Sequence, residues 1–129
     1  MKTLLKILHV DDDDDIREVT LLALEALGGL DVTQCSSGSE ALAVVQSVVP
    51  DLFLLDVMMP DLTGEETLRA LREIPQFVQT PAIFMTAKSQ RSDLKRLMDM
   101  GALDVIQKPF DVTTLSSRIT EMWARRPRH

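Results

Sequence analysis

Asp51 to Gly64 reads DLFLLDVMMPDLTG. Its run Leu52-Phe53-Leu54-Leu55 is continuously apolar and short, as expected of a strand buried on both faces of a sheet. The run ends on Asp56, a carboxylate that needs partners, because burying an unpaired charge is very costly. Met58-Met59-Pro60 then forms a loop, and Thr63-Gly64-Glu65-Glu66 has the capping-box pattern that opens a helix.

The same order recurs along the chain. Short runs rich in Ile, Val, Leu and Phe alternate with segments of helical period, the pattern of a parallel α/β sheet covered on both faces. Five strand-then-helix repeats are predicted, with strands at Leu5 to Val10, Asp31 to Cys35, Leu52 to Leu55, Ala82 to Met85 and Val105 to Gln107. The first helix is predicted over Asp14 to Leu27, turning Ile16, Val19, Ala23 and Leu27 inward until Gly28-Gly29 stops it. The second opens with a capping box at Ser37-Gly38-Ser39-Glu40, buries Ala41, Leu42, Val45, Val48 and Val49, and ends at Pro50. The third turns Leu68, Leu71 and Ile74 inward and stops at Pro75. The fourth carries Leu94, Leu97 and Met98 and ends at Gly101, while the fifth is capped by Asp111 and buries Val112, Leu115, Ile119 and Met122.

Composition narrows the function. The 129 residues make one domain's worth of chain, and a net charge of −6 argues against unassisted binding to nucleic acid or an anionic membrane. The single cysteine, Cys35, excludes an internal disulfide and reads as a small buried strand residue. No signal peptide and no apolar stretch of membrane-spanning length is visible, so a cytoplasmic protein is expected. His9 reads as a packed or edge imidazole, and neither it nor His129 is expected to bind metal.

Four polar signals follow apolar runs: Val10-Asp11-Asp12, Leu55-Asp56, Met85-Thr86 and Gln107-Lys108-Pro109. If those runs are neighbouring parallel strands, three carboxylates, a hydroxyl and an ammonium meet at the sheet edge where open α/β sheets bind ligands. Within the run Asp11 to Asp15, Asp11 and Asp12 fall to chemistry, whereas Asp13 to Asp15 favour a helix N-terminus. Mutual repulsion makes Asp11, Asp12 and Asp56 unfavourable together without a cation, and magnesium suits such a donor set. Asp56 is then a nucleophile toward phosphorus, Lys108 neutralises a phosphoryl oxygen, and the Thr86 hydroxyl donates to another. Taken singly, Thr86 is an ordinary strand-end hydroxyl and Lys108 an ordinary solvated lysine; only the set is informative.

Val10-Asp11-Asp12-Asp13, the stretch from Asp51 to Gly64, PAIFMTAKS from Pro81 and Lys108-Pro109-Phe110 together resemble the response-regulator receiver domain of two-component signalling. The resemblance runs over about residues 4 to 125 and treats 1–129 as a single receiver domain with a short basic tail from Arg125 to His129. It implies a flavodoxin-like (βα)5 fold with a five-stranded parallel sheet in order 2-1-3-4-5. Asp56 would take its phosphoryl group from a histidine kinase or phosphotransfer protein. Asp12, Asp56 and the Met58 backbone carbonyl would ligate Mg2+, with Asp11 acting through water, while Thr86 and Lys108 read the phosphoryl group. Signal output would pass to a downstream protein or output domain through the surface of helix 4, strand 5 and helix 5. Self-catalysed phosphorylation and slow autodephosphorylation would be its only chemistry, so it would not be an enzyme in the usual sense.

Val105 departs from the pattern, standing where many receivers carry an aromatic switch residue, and Thr113 and Thr114 replace paired acidic residues. Two alternatives remain open at this stage. A degenerate receiver used only for docking would not need the complete acidic set. An aspartyl-phosphate hydrolase would need a general acid where Met58 stands. A flavin or nucleotide carrier lacks its glycine-rich loop after the first strand.

Overall fold

The computed structural model describes residues 5–88 and 90–127. The strands are β1 (Lys6–Val10), β2 (Asp31–Cys35), β3 (Leu52–Asp56), β4 (Ala82–Thr86) and β5 (Asp104–Gln107). All pair in parallel in the order 2-1-3-4-5. Parallel neighbours need crossovers, which are supplied by α1 (Asp14–Leu21, continued as a π-helix over Leu22–Leu27), α2 (Gly38–Val48), α3 (Gly64–Arg72) and α4 (Arg91–Asp99). α5 (Leu115–Ala124) closes the chain of elements. The predicted strand positions hold, with β3 and β4 each one residue longer so that Asp56 and Thr86 are themselves strand residues.

Alternation along the buried strands builds two cores. Leu8, Val10, Phe53, Leu55 and Phe84 face α2, α3 and α4, meeting Ala41, Val45, Leu68, Leu71 and Leu97. Ile7, Leu52, Leu54, Ile83 and Met85 face the other way, meeting Ala23, Leu24, Leu115, Ile119 and Met122 from α1 and α5. Phe53 and Phe77 add an edge-on aromatic contact at 5.9 Å between ring centres.

Four helix expectations need correction. Leu27 is 59% exposed, and Leu24 is buried in its place. The cause is the π-helical segment, whose wider turns rotate later residues out of the α-helical phase on which Leu27 was expected to face inward. Val49 is exposed because it is the left-handed C-cap of α2, with φ 51°, and Pro50 is buried in its stead. Met98 is also exposed, since α4 lays only a narrow stripe, centred on Leu97, against the sheet. Asp111 caps a turn rather than α5: its Oδ1 accepts from the Thr113 amide and hydroxyl, and the helix starts at Leu115.

The capping boxes differ too. That of α3 is complete, Thr63 accepting from the Glu66 amide and Glu66 from the Thr63 amide. At α2 only half forms, because the Glu40 carboxylate reaches past Ser37 to the Ser36 amide. Arg128 and His129 of the expected basic tail lie outside the described residues.

Both rims of the sheet carry an amide held by a carboxylate. On the β2 side Val32 donates to Glu25 Oε2 at 3.2 Å, and on the β5 side Val105 donates to Asp104 Oδ1 at 2.8 Å.

One close approach governs how α3 leaves β3. The Gly64 amide donates to the Val57 carbonyl, and a Cβ at Gly64 would stand 2.2 Å from the Asp56 carbonyl oxygen. Gly64→Ala is therefore expected to destabilise the protein by about 1–3 kcal/mol, because backbone at both sides of the clash has nowhere to go. Urea unfolding of the two proteins measures it; equal midpoints would show that the loop yields.

Candidate functional site

The sheet order reverses between β1 and β3, where the chain first runs outward to β2 and then returns. At such a point the loops leaving neighbouring strands diverge and open a crevice at the carboxyl edge. Asp11 lies immediately after β1 and Asp56 at the end of β3. A short loop separates Asp11 from α1, whose N-cap is Asp13, accepting from the amides of Asp15 and Ile16.

Side-chain oxygens of Asp11, Asp12 and Asp56 lie within 4.8 Å of one another. Asp11 and Asp56 are buried, whereas Asp12 is exposed at the mouth. Lys108, arriving from the end of β5, places Nζ 2.7 Å from Asp56 Oδ1 and 3.0 Å from Asp11 Oδ2. Its own backbone amide donates to the Thr86 carbonyl, which fixes the loop after β5 to the end of β4. The sequence-predicted Asp11, Asp12, Asp56 and Lys108 are thus brought together. Thr86 is buried at the adjoining strand end, and its Oγ1 accepts from the Lys88 amide at 3.0 Å. That leaves its own O–H free to donate. Met58 lies in the loop two residues past Asp56, with its side chain exposed.

Electrostatics single out Asp56. Burial pushes its carboxyl up to about 6, the neighbouring Asp11 and Asp12 charges push the same way, and the Lys108 hydrogen bond pulls it back only in part. For Lys108, burial disfavours the ammonium, but hydrogen bonds to Asp56 and Asp11 outweigh it and hold the pKa above the usual lysine value. Three carboxylates face one ammonium, so the crevice holds uncompensated negative charge. A small divalent cation that takes oxygen ligands fits this donor set, and the residues present can supply at least three.

His9 is buried one strand residue before Val10, as a packed imidazole. Burial, with help from the Lys108 and Arg17 charges, drives its pKa down to about 3, so it stays neutral. Two partners of the acidic loop escaped the sequence reading. Arg17 donates to the Asp11 carbonyl and Gln34 to the Arg17 carbonyl. The Gln34 contact depends on how β2 lies beside α1, and the Arg17 contact, six residues from Asp11 within the β1–α1 connection, has no periodicity to mark it.

A family model described as response regulator receiver domain matches residues 7–120. The chain belongs to the response-regulator receiver family. Among curated relatives, the transcriptional regulatory protein CpxR of Klebsiella pneumoniae is 43% identical over 122 residues, 93% of this chain and 50% of that protein. The alkaline phosphatase synthesis transcriptional regulatory protein PhoP of Bacillus subtilis is 37% identical over 120 residues, 93% of this chain and 49% of that protein. The receiver therefore spans about half the length of these curated relatives. Among solved structures, the chemotaxis protein CheY4 of Vibrio cholerae superposes with a TM-score of 0.85 at 31% identity, covering 93% of this chain and 99% of that one. The expected flavodoxin-like sheet and the receiver assignment both hold, and the docking-only alternative is not favoured.

Proton linkage at Asp56 gives a direct check. A folded-state pKa raised from 3.8 to about 6 contributes stability that is complete below about pH 3.8 and is lost as the pH rises through about 6. In metal-free receiver, Asp56→Asn should therefore gain stability over the parent between pH 4 and 7, by on the order of 1–3 kcal/mol. Below pH 4 the advantage should vanish. Urea unfolding in EDTA across that range measures it, and a constant difference at every pH would refute the charge argument.

Proposed function

We propose that this receiver takes a phosphoryl group on Asp56 from a histidine kinase or histidine phosphotransfer protein, with Mg2+ held by Asp12, Asp56 and the Met58 backbone carbonyl and with Asp11 acting through water. The observation that carries this reading is the convergence of three carboxylates on one ammonium at the strand ends. When bound, magnesium draws charge off the phosphoryl oxygens. Asp56 Oδ attacks phosphorus as the donor's P–N bond breaks, and the bonding pair returns to the donor imidazole. Lys108 neutralises a phosphoryl oxygen from its seat between the two buried carboxylates. Thr86 donates its free O–H to another.

On this reading residues 1–129 act as one signalling unit, phosphorylating and slowly dephosphorylating themselves rather than turning over substrate, in the cytoplasm. Output goes to a downstream protein or output domain across the face of α4, β5 and α5. The groove on that face is lined by Leu94, Met98, Val105 and Arg118. No nucleic-acid contact is assigned to this unit, in keeping with its negative charge.

Acetyl phosphate with magnesium should label Asp56 and no other residue, as read by mass spectrometry of peptide fragments. Labelling of Asp56→Asn at the parent's stoichiometry would sink the assignment.

Val105 shapes the second expectation. A β-branched side chain has few rotamers and no polar tip, so it cannot swing between a wet surface and a dry pocket as tyrosine does. The Thr86 hydroxyl is tied instead to the Lys88 amide. Drawing Thr86 toward a phosphoryl group must therefore move the backbone at Lys88, just ahead of α4. Beryllofluoride, a phosphoryl mimic, should shift the amide resonances of Thr86 to Gln90 and of α4, with little change at residue 105. Shifts centred on Val105 with a silent Thr86 to Gln90 loop would refute this route.

A further inference from the structure

Three clustered carboxylates repel one another, so the loop that presents two of them must be held by something outside the cluster. The Asp11 backbone is gripped on both sides. Its amide donates to the Cys35 carbonyl at the end of β2 at 3.1 Å, and its carbonyl accepts from Arg17 Nη1 at 2.7 Å. Arg17 is mostly buried, and its Nη2 pairs with the exposed carboxylate of Asp14.

Arg17 is seated in turn from the sheet. Gln34 stands opposite His9 in the β1–β2 ladder. Its Nε2 donates to the Arg17 carbonyl at 2.8 Å and lies 3.0 Å from His9 Nδ1. A carboxamide nitrogen carries two hydrogens, so it serves both acceptors at once, and His9, neutral and fully buried, offers Nδ1 as the acceptor. A chain of hydrogen bonds therefore runs from the β1–β2 ladder through Gln34 and the first turn of α1 to the Asp11 carbonyl.

The Asp11 carbonyl and the Asp12 amide belong to one rigid peptide plane. Fixing the carbonyl fixes that plane and so places the Asp12 Cα, while the Asp13 amide, donating to Asp11 Oδ1 at 3.0 Å, restrains the far side of Asp12 and with it the direction in which the side chain leaves the backbone. We propose that Arg17, seated by Gln34, is a positioning residue for the cation-binding aspartates: it holds the Asp11–Asp12 peptide so that the exposed Asp12 carboxylate points at Asp11 and Asp56. The proposal rests on the magnesium reading given above. Arg17 touches neither cation nor phosphoryl group and acts only through the loop. Its planar fork lets one nitrogen bind the carbonyl while the other binds Asp14, a geometry that a lysine ammonium does not reproduce.

The test titrates MgCl2 into metal-free protein by isothermal calorimetry. It pairs this with the initial rate of phosphorylation by acetyl phosphate at low and high magnesium, and with the thermal midpoint of each variant in EDTA. Arg17→Met should raise the magnesium dissociation constant by about tenfold, as loss of an outer partner of a metal ligand does. Its phosphorylation rate should fall at low magnesium and recover at high magnesium. Arg17→Lys should fall between this variant and the parent, and it carries the same test if Arg17→Met fails to fold. Asp14→Asn should stay within about twofold of the parent, because the bond to the Asp11 carbonyl survives.

An unchanged dissociation constant in both Arg17 variants, even with lowered thermal midpoints, would reduce Arg17 to packing and overturn the proposal. A loss in Asp14→Asn equal to that in Arg17→Met would also overturn it, by tracing the effect to the ion pair. Asp12→Ala separates the two layers of the argument. Lost binding there with intact binding in the Arg17 variants removes the positioning role alone, whereas intact binding in Asp12→Ala removes the metal site beneath it.

Discussion

Lys108 sits between two carboxylates that the sheet has taken out of water, 2.7 Å from Asp56 and 3.0 Å from Asp11. In that setting a charge without a partner is far more costly than a missing hydrophobic contact, so every element around the crevice is arranged to bring this ammonium in and hold the acids in place. β5 must end beside β4 for Lys108 to be anchored on the Thr86 carbonyl. α3 must leave close against the Asp56 backbone, which is why glycine stands at position 64. One ammonium does not balance three carboxylates, however, and the remaining charge makes the crevice receptive to a cation, while burial, with the neighbouring acids adding to it, makes Asp56 unusually basic.

Much of this could be read from the chain because interior parallel strands are nearly uniform in hydrophobicity. Leu52-Phe53-Leu54-Leu55 admits few readings, and a polar residue at the end of such a run is conspicuous. Asp11 and Asp56 announce themselves in this way, and Thr86 and Lys108 gain their meaning from ending the neighbouring runs beside them, without any knowledge of side-chain geometry. The helices were less legible. Leu27 obeys the α-helical period on paper, but the π-helical turns before it shift the phase and turn it outward. Met98 follows Leu97 onto what looks like an apolar stripe, yet α4 rests on the sheet along a line too narrow to cover both.

What was invisible is the support around the site. Gln34 is an unremarkable polar residue of an edge strand until the register puts it opposite His9. Arg17 looks like one more solvent-facing charge on an acidic helix until its guanidinium is seen on the Asp11 carbonyl. Such contacts join residues on different elements, and a sequence pattern carries only the periodicity of one element at a time. The residues that meet the ligand are therefore easier to recognise than those that hold them in position.

The carboxylates on the two rims of the sheet have a consequence for assembly. A β-sheet grows when an incoming extended segment bonds to unpaired amides on an edge strand. Here one such amide on each side, at Val32 and at Val105, is already taken by an acid from its own chain. An approaching strand would have to displace Glu25 or Asp104 and leave that carboxylate facing a row of carbonyl oxygens. Fibril-like stacking and strand exchange are thereby discouraged at both ends of the sheet, and recognition is directed to the helical faces, where side chains rather than backbone decide who binds.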